Sequence, residues 1–112
     1  MARRLDCQEP QRREAAITAA IRAARNGRLV ALPAETGYVL ATDAFSESGV
    51  AALQRAKGLG PGTSLGVLVG HKPGVHGIAA GLSPAALELM EACWPGMLSL
   101  LVRTQPSLRW TV

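Results

Sequence analysis

The stretch Leu32-Pro33-Ala34-Glu35-Thr36-Gly37-Tyr38-Val39-Leu40 decides how this chain is read. It leaves a short apolar run, Arg28 to Leu32, with the length and composition of a buried strand, and Pro33 is expected to end that run by removing a ladder donor. A carboxylate, a hydroxyl and a phenol come next, at a strand end, where an open α/β sheet presents its ligand site. A threonine hydroxyl can accept from an ammonium and donate to a carboxylate, while a phenol offers an apolar wall with a polar tip. Glu35, Thr36 and Tyr38 therefore suit an amino acid. The competing reading is a strand-terminating turn with a packed tyrosine, and spacing alone does not separate the two.

Upstream, Ala16, Ile17, Ala20, Ile21 and Ala24 recur at helical spacing between about Arg12 and Arg25, and Asn26-Gly27 closes that helix. Downstream, Gly37 to Ala41 reads as a second strand. Ser46 caps a helix from Glu47 to about Ala56 that turns Val50 and Leu53 inward and stops at Gly58. Three glycines and Pro61 between Gly58 and Ser64 make a loop, and Leu65 to Val69 is apolar enough for a buried strand. His71 to Gly81 is rich in Gly and Pro, so a helix through Val75, Ile78 and Ala79 has little support. Ser83-Pro84 opens another helix to about Cys93, burying Leu87, Met90 and Trp94. Pro95-Gly96 breaks it, Leu98 to Val102 reads as the next strand, and Arg109 to Val112 as the start of one more. Helices alternating with apolar strands point to an α/β fold, an open twisted sheet flanked by helices.

At 112 residues the chain has the size of one domain, residues 1–112, which opens with a basic arm over residues 1–11 that is expected to lack fixed structure. The formal charge of +4 is concentrated at the front, where seven arginines face Asp6, Glu9 and Glu14. Such a front attracts phosphate-bearing partners such as RNA, although no aromatic residue precedes Tyr38 to stack a base. Two cysteines, Cys7 and Cys93, are too few for a disulfide framework or a zinc signature, and Cys93 reads as a buried small side chain. His71 and His76 lie among glycines with no third ligand nearby, so no metal site is expected. No apolar run approaches the ~20 residues a membrane span needs, and no secretory leader is recognisable, which together predict a cytoplasmic protein.

A second constellation is Lys57 followed by Gly58-Leu59-Gly60-Pro61-Gly62-Thr63-Ser64. Bare amides, the hydroxyls of Thr63 and Ser64, and one cation could surround a triphosphate. The order differs from a Walker loop, where lysine comes after the glycines, and from a Rossmann turn, where the glycines come after a strand. The alternative is a lysine complementing its own helix dipole ahead of a linker.

Three blocks, 32–44 (LPAETGYVLATDA), 57–69 (KGLGPGTSLGVLV) and 94–102 (WPGMLSLLV), taken together resemble the YrdC/Sua5 family. There the first block reads Pro-Thr-Glu-Thr-Val-Tyr-Gly-Leu, the second Lys-Gly-Arg-Pro with Asn-Pro-Leu beyond it, and the third Trp-Pro-Gly-Pro-Leu-Thr. The resemblance implies threonylcarbamoyl-adenylate synthesis from threonine, bicarbonate and ATP with Mg2+, for tRNA modification. It implies that Thr36, with Tyr38 and Glu35 shaping the pocket, meets threonine. Lys57, with Thr63 and Ser64, would meet the nucleotide. It also implies that Thr36 and Lys57 face one cavity.

The departures fall on the same blocks. The family's arginine two residues after the lysine is Leu59, its asparagine is Thr63, the proline after that is Ser64, and a histidine lining the threonine pocket is Leu68. Ala34 and Val39 replace a threonine and a glycine. Family members run to nearly twice this length, so the resemblance also implies a domain lacking its C-terminal part. The rival expectation is a catalytically inactive module that holds tRNA, double-stranded RNA or a partner protein, or that forms a homodimer through an open sheet edge. A truncated reading frame that folds poorly is a third.

Overall fold

A computed structural model describes residues 1–112. Its four α-helices interleave with four short strands, the mixed α/β composition that the sequence predicts. The strands form two separate antiparallel pairs, β1 (Val30–Ala34) with β2 (Gly37–Ala41) and β3 (Ala79–Ala80) with β4 (Arg103–Thr104). Residues group into two compact units, Met1–Thr63 with Thr111 and Ser64–Trp110 with Val112.

In the first unit, α1 (Pro10–Arg25) starts on a proline, which at this position sacrifices only an amide that would have no helical partner. It ends in a Schellman reversal, Gly27 N–H donating to the Ala24 carbonyl at 2.9 Å and Arg28 N–H to Ala23 at 3.0 Å. The helix thus takes in the last two residues of the arm expected over 1–11. Residues 1–9 form no helix or strand, yet they are tethered. Asp6 accepts from the Gln8 amide at 3.0 Å and from Arg12 at 3.2 Å, and Arg13 Nε donates to the Cys7 carbonyl at 3.0 Å. The Gln8 amide and then the Arg12 guanidinium hold the Asp6 carboxyl below its ordinary pKa. Of the helical apolar stripe only Ala16 is buried, with Ile17 and Ile21 about half exposed.

Val30–Ala34 (β1) and Gly37–Ala41 (β2) pair as an antiparallel hairpin. Here the structure corrects the expectation that Pro33 ends the strand. β1 runs through Pro33, which lies opposite Tyr38. The pair Ala34↔Gly37 closes a two-residue turn and exchanges hydrogen bonds, so the adjoining Pro33↔Tyr38 pair is non-hydrogen-bonded and needs no proline donor. Glu35 and Thr36, the turn residues, keep negative φ, the sense that fits the strand twist poorly; Gly37, at φ 130°, absorbs the mismatch in a region that side-chain-bearing residues avoid.

Cross-strand partners share a face. Leu32 and Val39 are half-buried on the inner one, whereas Ala31, Pro33, Tyr38 and Leu40 line an exposed outer face whose one polar group is the Tyr38 hydroxyl. Helix α2 (Glu47–Ala56) begins as its sequence predicts, with Ser46 Oγ accepting from Gly49 N–H at 3.1 Å. Val50 is 1% exposed, and Leu53 half-buried. Gly27 and Gly49 face each other so closely that a side chain on Gly49 would meet Gly27 Cα at 3.1 Å and collide with Thr42 Oγ1. These two glycines let the end of α1 meet the start of α2 backbone to backbone.

In the second unit, a 3₁₀ turn (Lys72–Gly74) leads into α3 (Val75–Ile78), then β3 (Ala79–Ala80), α4 (Pro84–Cys93) and β4 (Arg103–Thr104), which pairs with β3. Lys72 ties the turn to α4 through the Glu91 carboxylate at 3.0 Å and the Glu91 carbonyl at 3.1 Å. Ser83 Oγ caps α4 by accepting from Ala86 N–H. Val75, Ala79 and Met90 form the core, with Ile78, Leu82, Ala86, Trp94 and Leu100 against it. Trp94 Nε1 donates to the Leu98 carbonyl at 2.6 Å, which fixes the turn after α4.

Several expectations fail in this unit. Leu65–Val69 and Leu98–Val102 form no strand, and Arg109–Val112 starts none. Leu87 stays 39% exposed and Cys93 lies at the surface. A strand pattern specifies which face is apolar but not that a partner lies within reach, and these runs have none to pair with.

Candidate functional site

The predicted residues occupy two structural settings in the first unit. Glu35 and Thr36 form the tip of the β1–β2 hairpin, both exposed, and neither makes a hydrogen bond through its side chain. Tyr38 stands on the outer face, 82% exposed, two residues beyond the turn. Carboxylate, hydroxyl and phenol are thus brought to one end of one hairpin with their polar atoms free for a ligand. The packed-tyrosine alternative does not hold for Tyr38.

Lys57 is the C-cap residue of α2, exposed, with no ion pair. A second Schellman reversal begins immediately after it. Gly58 N–H donates to the Arg55 carbonyl at 3.1 Å and Leu59 N–H to the Gln54 carbonyl at 2.9 Å, with Gly58 at φ 66°. Leu59 takes the position after the glycine, where an apolar residue customarily closes this motif. The residue that departs from the family pattern therefore serves the helix terminus.

The loop beyond is held by internal bonds. Thr63 Oγ1 donates to the Gly60 carbonyl at 2.8 Å and Thr63 N–H to the same oxygen at 3.2 Å. Gln54, buried on α2, donates its side-chain amide to the Thr63 carbonyl at 3.1 Å. Sequence reasoning passed over Gln54, although a glutamine four residues after Val50 puts an amide on the inward stripe of α2, a place that demands a partner. The Thr63 hydroxyl spends its donor within the loop and keeps its acceptor capacity. Ser64 is exposed and makes no hydrogen bond.

Two shallow, open depressions lie elsewhere: one along α1 between Gln11, Glu14, Thr18 and Arg22, the other between Lys72, His76, Leu87 and Glu91. Neither includes Glu35, Thr36, Tyr38, Lys57, Thr63 or Ser64. The structure brings the three hairpin residues together and sets Lys57 at the helix end ahead of a closed glycine loop. Among the front arginines, Arg12 pairs with Asp6 and Glu9 at 3.2 Å each, while Arg3, Arg4, Arg13, Arg22, Arg25 and Arg28 carry no ion pair. No helix is long and apolar enough to cross a membrane.

An α/β chain with a hairpin-borne carboxylate, hydroxyl and phenol, and a helix-terminal lysine ahead of a glycine loop, has the arrangement of blocks that the sequence resemblance describes. The Sua5/YciO/YrdC family model, described as telomere recombination, matches residues 22–112, and the chain belongs to that family. It is 43% identical over 110 residues to a Mycobacterium tuberculosis protein named "Putative threonylcarbamoyl-AMP synthase", covering 98% of this chain and 51% of the relative. A Mycobacterium leprae protein of the same name is 44% identical over 105 residues, covering 94% of this chain and 48% of the relative. The chain thus spans about half the length of the curated relatives it matches. No solved structure matches it significantly.

Proposed function

We propose that this chain takes part in L-threonylcarbamoyladenylate synthesis, the step that supplies tRNA threonylcarbamoyladenosine modification. The observation that carries the reading is 43% identity, across 98% of the chain, to a relative bearing the synthase name. In that chemistry the threonine amine captures bicarbonate as a carbamate with loss of water, the carbamate oxygen attacks the α-phosphorus of ATP, and pyrophosphate leaves. The protein's part is to position the reactants and neutralise charge.

Thr36 and Glu35 would hold the threonine polar groups, with Tyr38 as the wall beside them. Lys57 would face phosphate, with Thr63 and Ser64 offering acceptors and donors next to it. The chain has no group of three His, Cys, Asp or Glu residues able to hold a metal, so Mg2+ would enter as the counter-ion of the triphosphate, within the Mg-ATP substrate. With Leu59 in place of a phosphate-facing arginine, one charge-assisted contact worth about 1.5–3 kcal/mol is missing, and weak ATP binding is expected.

The test is threonine-dependent pyrophosphate release from Mg-ATP and bicarbonate. Release that falls about tenfold or more in Lys57→Ala supports the reading, since one charged hydrogen bond is worth that much. No threonine-dependent release at saturating ATP rejects it for this polypeptide.

A second reading rests on a different observation: six of the seven front arginines carry no ion pair. It makes the chain an inactive module that binds tRNA or double-stranded RNA through phosphate. RNA binding that weakens steeply with salt, without an ATP heat in calorimetry, would favour it.

A further inference from the structure

Asn26 and Gly27, where α1 ends, carry a chemistry that needs neither nucleotide nor RNA. Asn26 is exposed and its side-chain amide makes no hydrogen bond. The next backbone nitrogen belongs to a glycine, whose missing side chain leaves that nitrogen unhindered. An asparagine so placed is open to attack from its own main chain. The Gly27 nitrogen bonds to Asn26 Cγ, the Cγ–Nδ2 bond breaks, and the Gly27 amide proton leaves with Nδ2 as ammonia. A five-membered succinimide remains, and water opens it at either carbonyl to give aspartate or isoaspartate at position 26.

The folded chain restrains this reaction in two ways. Gly27 N–H, the proton that must be lost, is held by the Ala24 carbonyl at 2.9 Å. At ψ 16° the Asn26 nitrogen nearly eclipses the Gly27 nitrogen, so Asn26 Cβ lies well away from the plane in which the ring must close. Both restraints vanish when the helix end opens. The products then differ in what they allow. Aspartate keeps the main chain its original length, so the reversal can form again. Isoaspartate routes the main chain through Cβ and Cγ, one atom longer, where α1 meets α2 with no space to spare: a Cβ on Gly27 would already meet Ser46 Oγ at 2.7 Å and Ser48 Oγ at 2.8 Å, and one on Gly49 would meet Gly27 Cα at 3.1 Å. We infer that Asn26–Gly27 is a self-modification site, with water as its co-reactant, that is gated by the α1–α2 junction and whose isoaspartyl product holds that junction open. This goes beyond the synthase reading and does not depend on it.

The full chain is aged in mildly alkaline buffer with and without denaturing urea, and the peptide spanning residue 26 is followed by mass spectrometry with isoaspartate resolved from aspartate. Conversion should run about tenfold or more faster in urea, because the folded chain reacts only through its opened fraction. Below the unfolding transition it should rise in step with hydrogen exchange at Gly27 and Arg28. No conversion in urea overturns the site. Equal rates folded and unfolded overturn the gate, as does exchange that rises while conversion stays flat. Returned to buffer, the isoaspartyl chain should lack amide protection at Gly27 and Arg28, whereas the aspartyl chain and Asn26→Asp should keep it. Protection restored in the isoaspartyl chain overturns the claim that the junction stays open. No step involves catalysis, so failure here and failure of the synthase reading are distinguishable.

Discussion

Two apolar strand patterns in this chain meet different ends. Val30–Ala41 contains its own partner, two residues away across Glu35 and Thr36, and forms a five-pair ladder. Leu65–Val69 has similar composition and the same alternation but no partner, and forms none. Closing a two-residue turn orders little chain, whereas a distant partner must first repay loop-closure entropy. The comparison teaches that alternation marks a segment as ready to pair. Whether it pairs depends on what else the polypeptide brings within reach.

The largest test concerns how little holds the second unit without a full sheet. Met90 is 3% exposed in a core of three fully buried residues. Met90→Ala should cost about 2–5 kcal/mol. Both tryptophans lie in that unit, so their fluorescence should red-shift at a lower denaturant concentration. An unchanged midpoint would show that the unit does not depend on this cluster.

The hairpin offers the next test. Gly37→Ala places a side chain at φ 130° and should cost about 1–3 kcal/mol, although open space surrounds the position. Cross-strand amide protection at Leu32 and Val39 reports it, and full retention would show that the ladder does not need the glycine conformation. Gln54→Leu is a smaller change. Removing the donor to the Thr63 carbonyl should cost about 1 kcal/mol and speed proteolysis between Gly58 and Ser64. A loop cut at the wild-type rate would mean that Gln54 does not hold it.

Asp6→Asn is the smallest. The Asp6 carboxyl is held below its ordinary value, so its contribution is complete above that value and is lost as the pH falls through the lowered one. The site is exposed, so that contribution is small: the substitution should lower the unfolding midpoint only slightly near neutral pH and leave it unchanged in acid, shrinking the acid sensitivity by the same amount.

Features fixed by local chemistry were legible in the sequence. Ser46 and Ser83 announced two helix starts, and Asn26-Gly27 and Gly58 two helix ends, because caps depend on neighbours within a few residues. The hairpin was half legible: both runs read as strands, but Pro33 masked the turn, since whether a proline breaks a ladder depends on a register the sequence does not print. Leu65–Val69 and Leu98–Val102 were misread for the opposite reason, as their composition suits a ladder that nothing here completes. Of the candidate site, the grouping of Glu35, Thr36 and Tyr38 could be read from spacing. The Gln54 tether could not, because it joins a helix to a carbonyl nine residues on, and backbone acceptors leave no mark in sequence.

The placement of Pro33 has one more consequence. Residues in non-hydrogen-bonded pairs turn their backbone groups away from the partner strand, so Ala31 and Pro33 face the free margin of β1 while Tyr38 and Leu40 face that of β2. A newcomer strand would find only one amide donor along the β1 margin and two along the β2 margin. The hairpin is therefore biased to grow on the tyrosine side, and the imino acid guards its other flank against self-association.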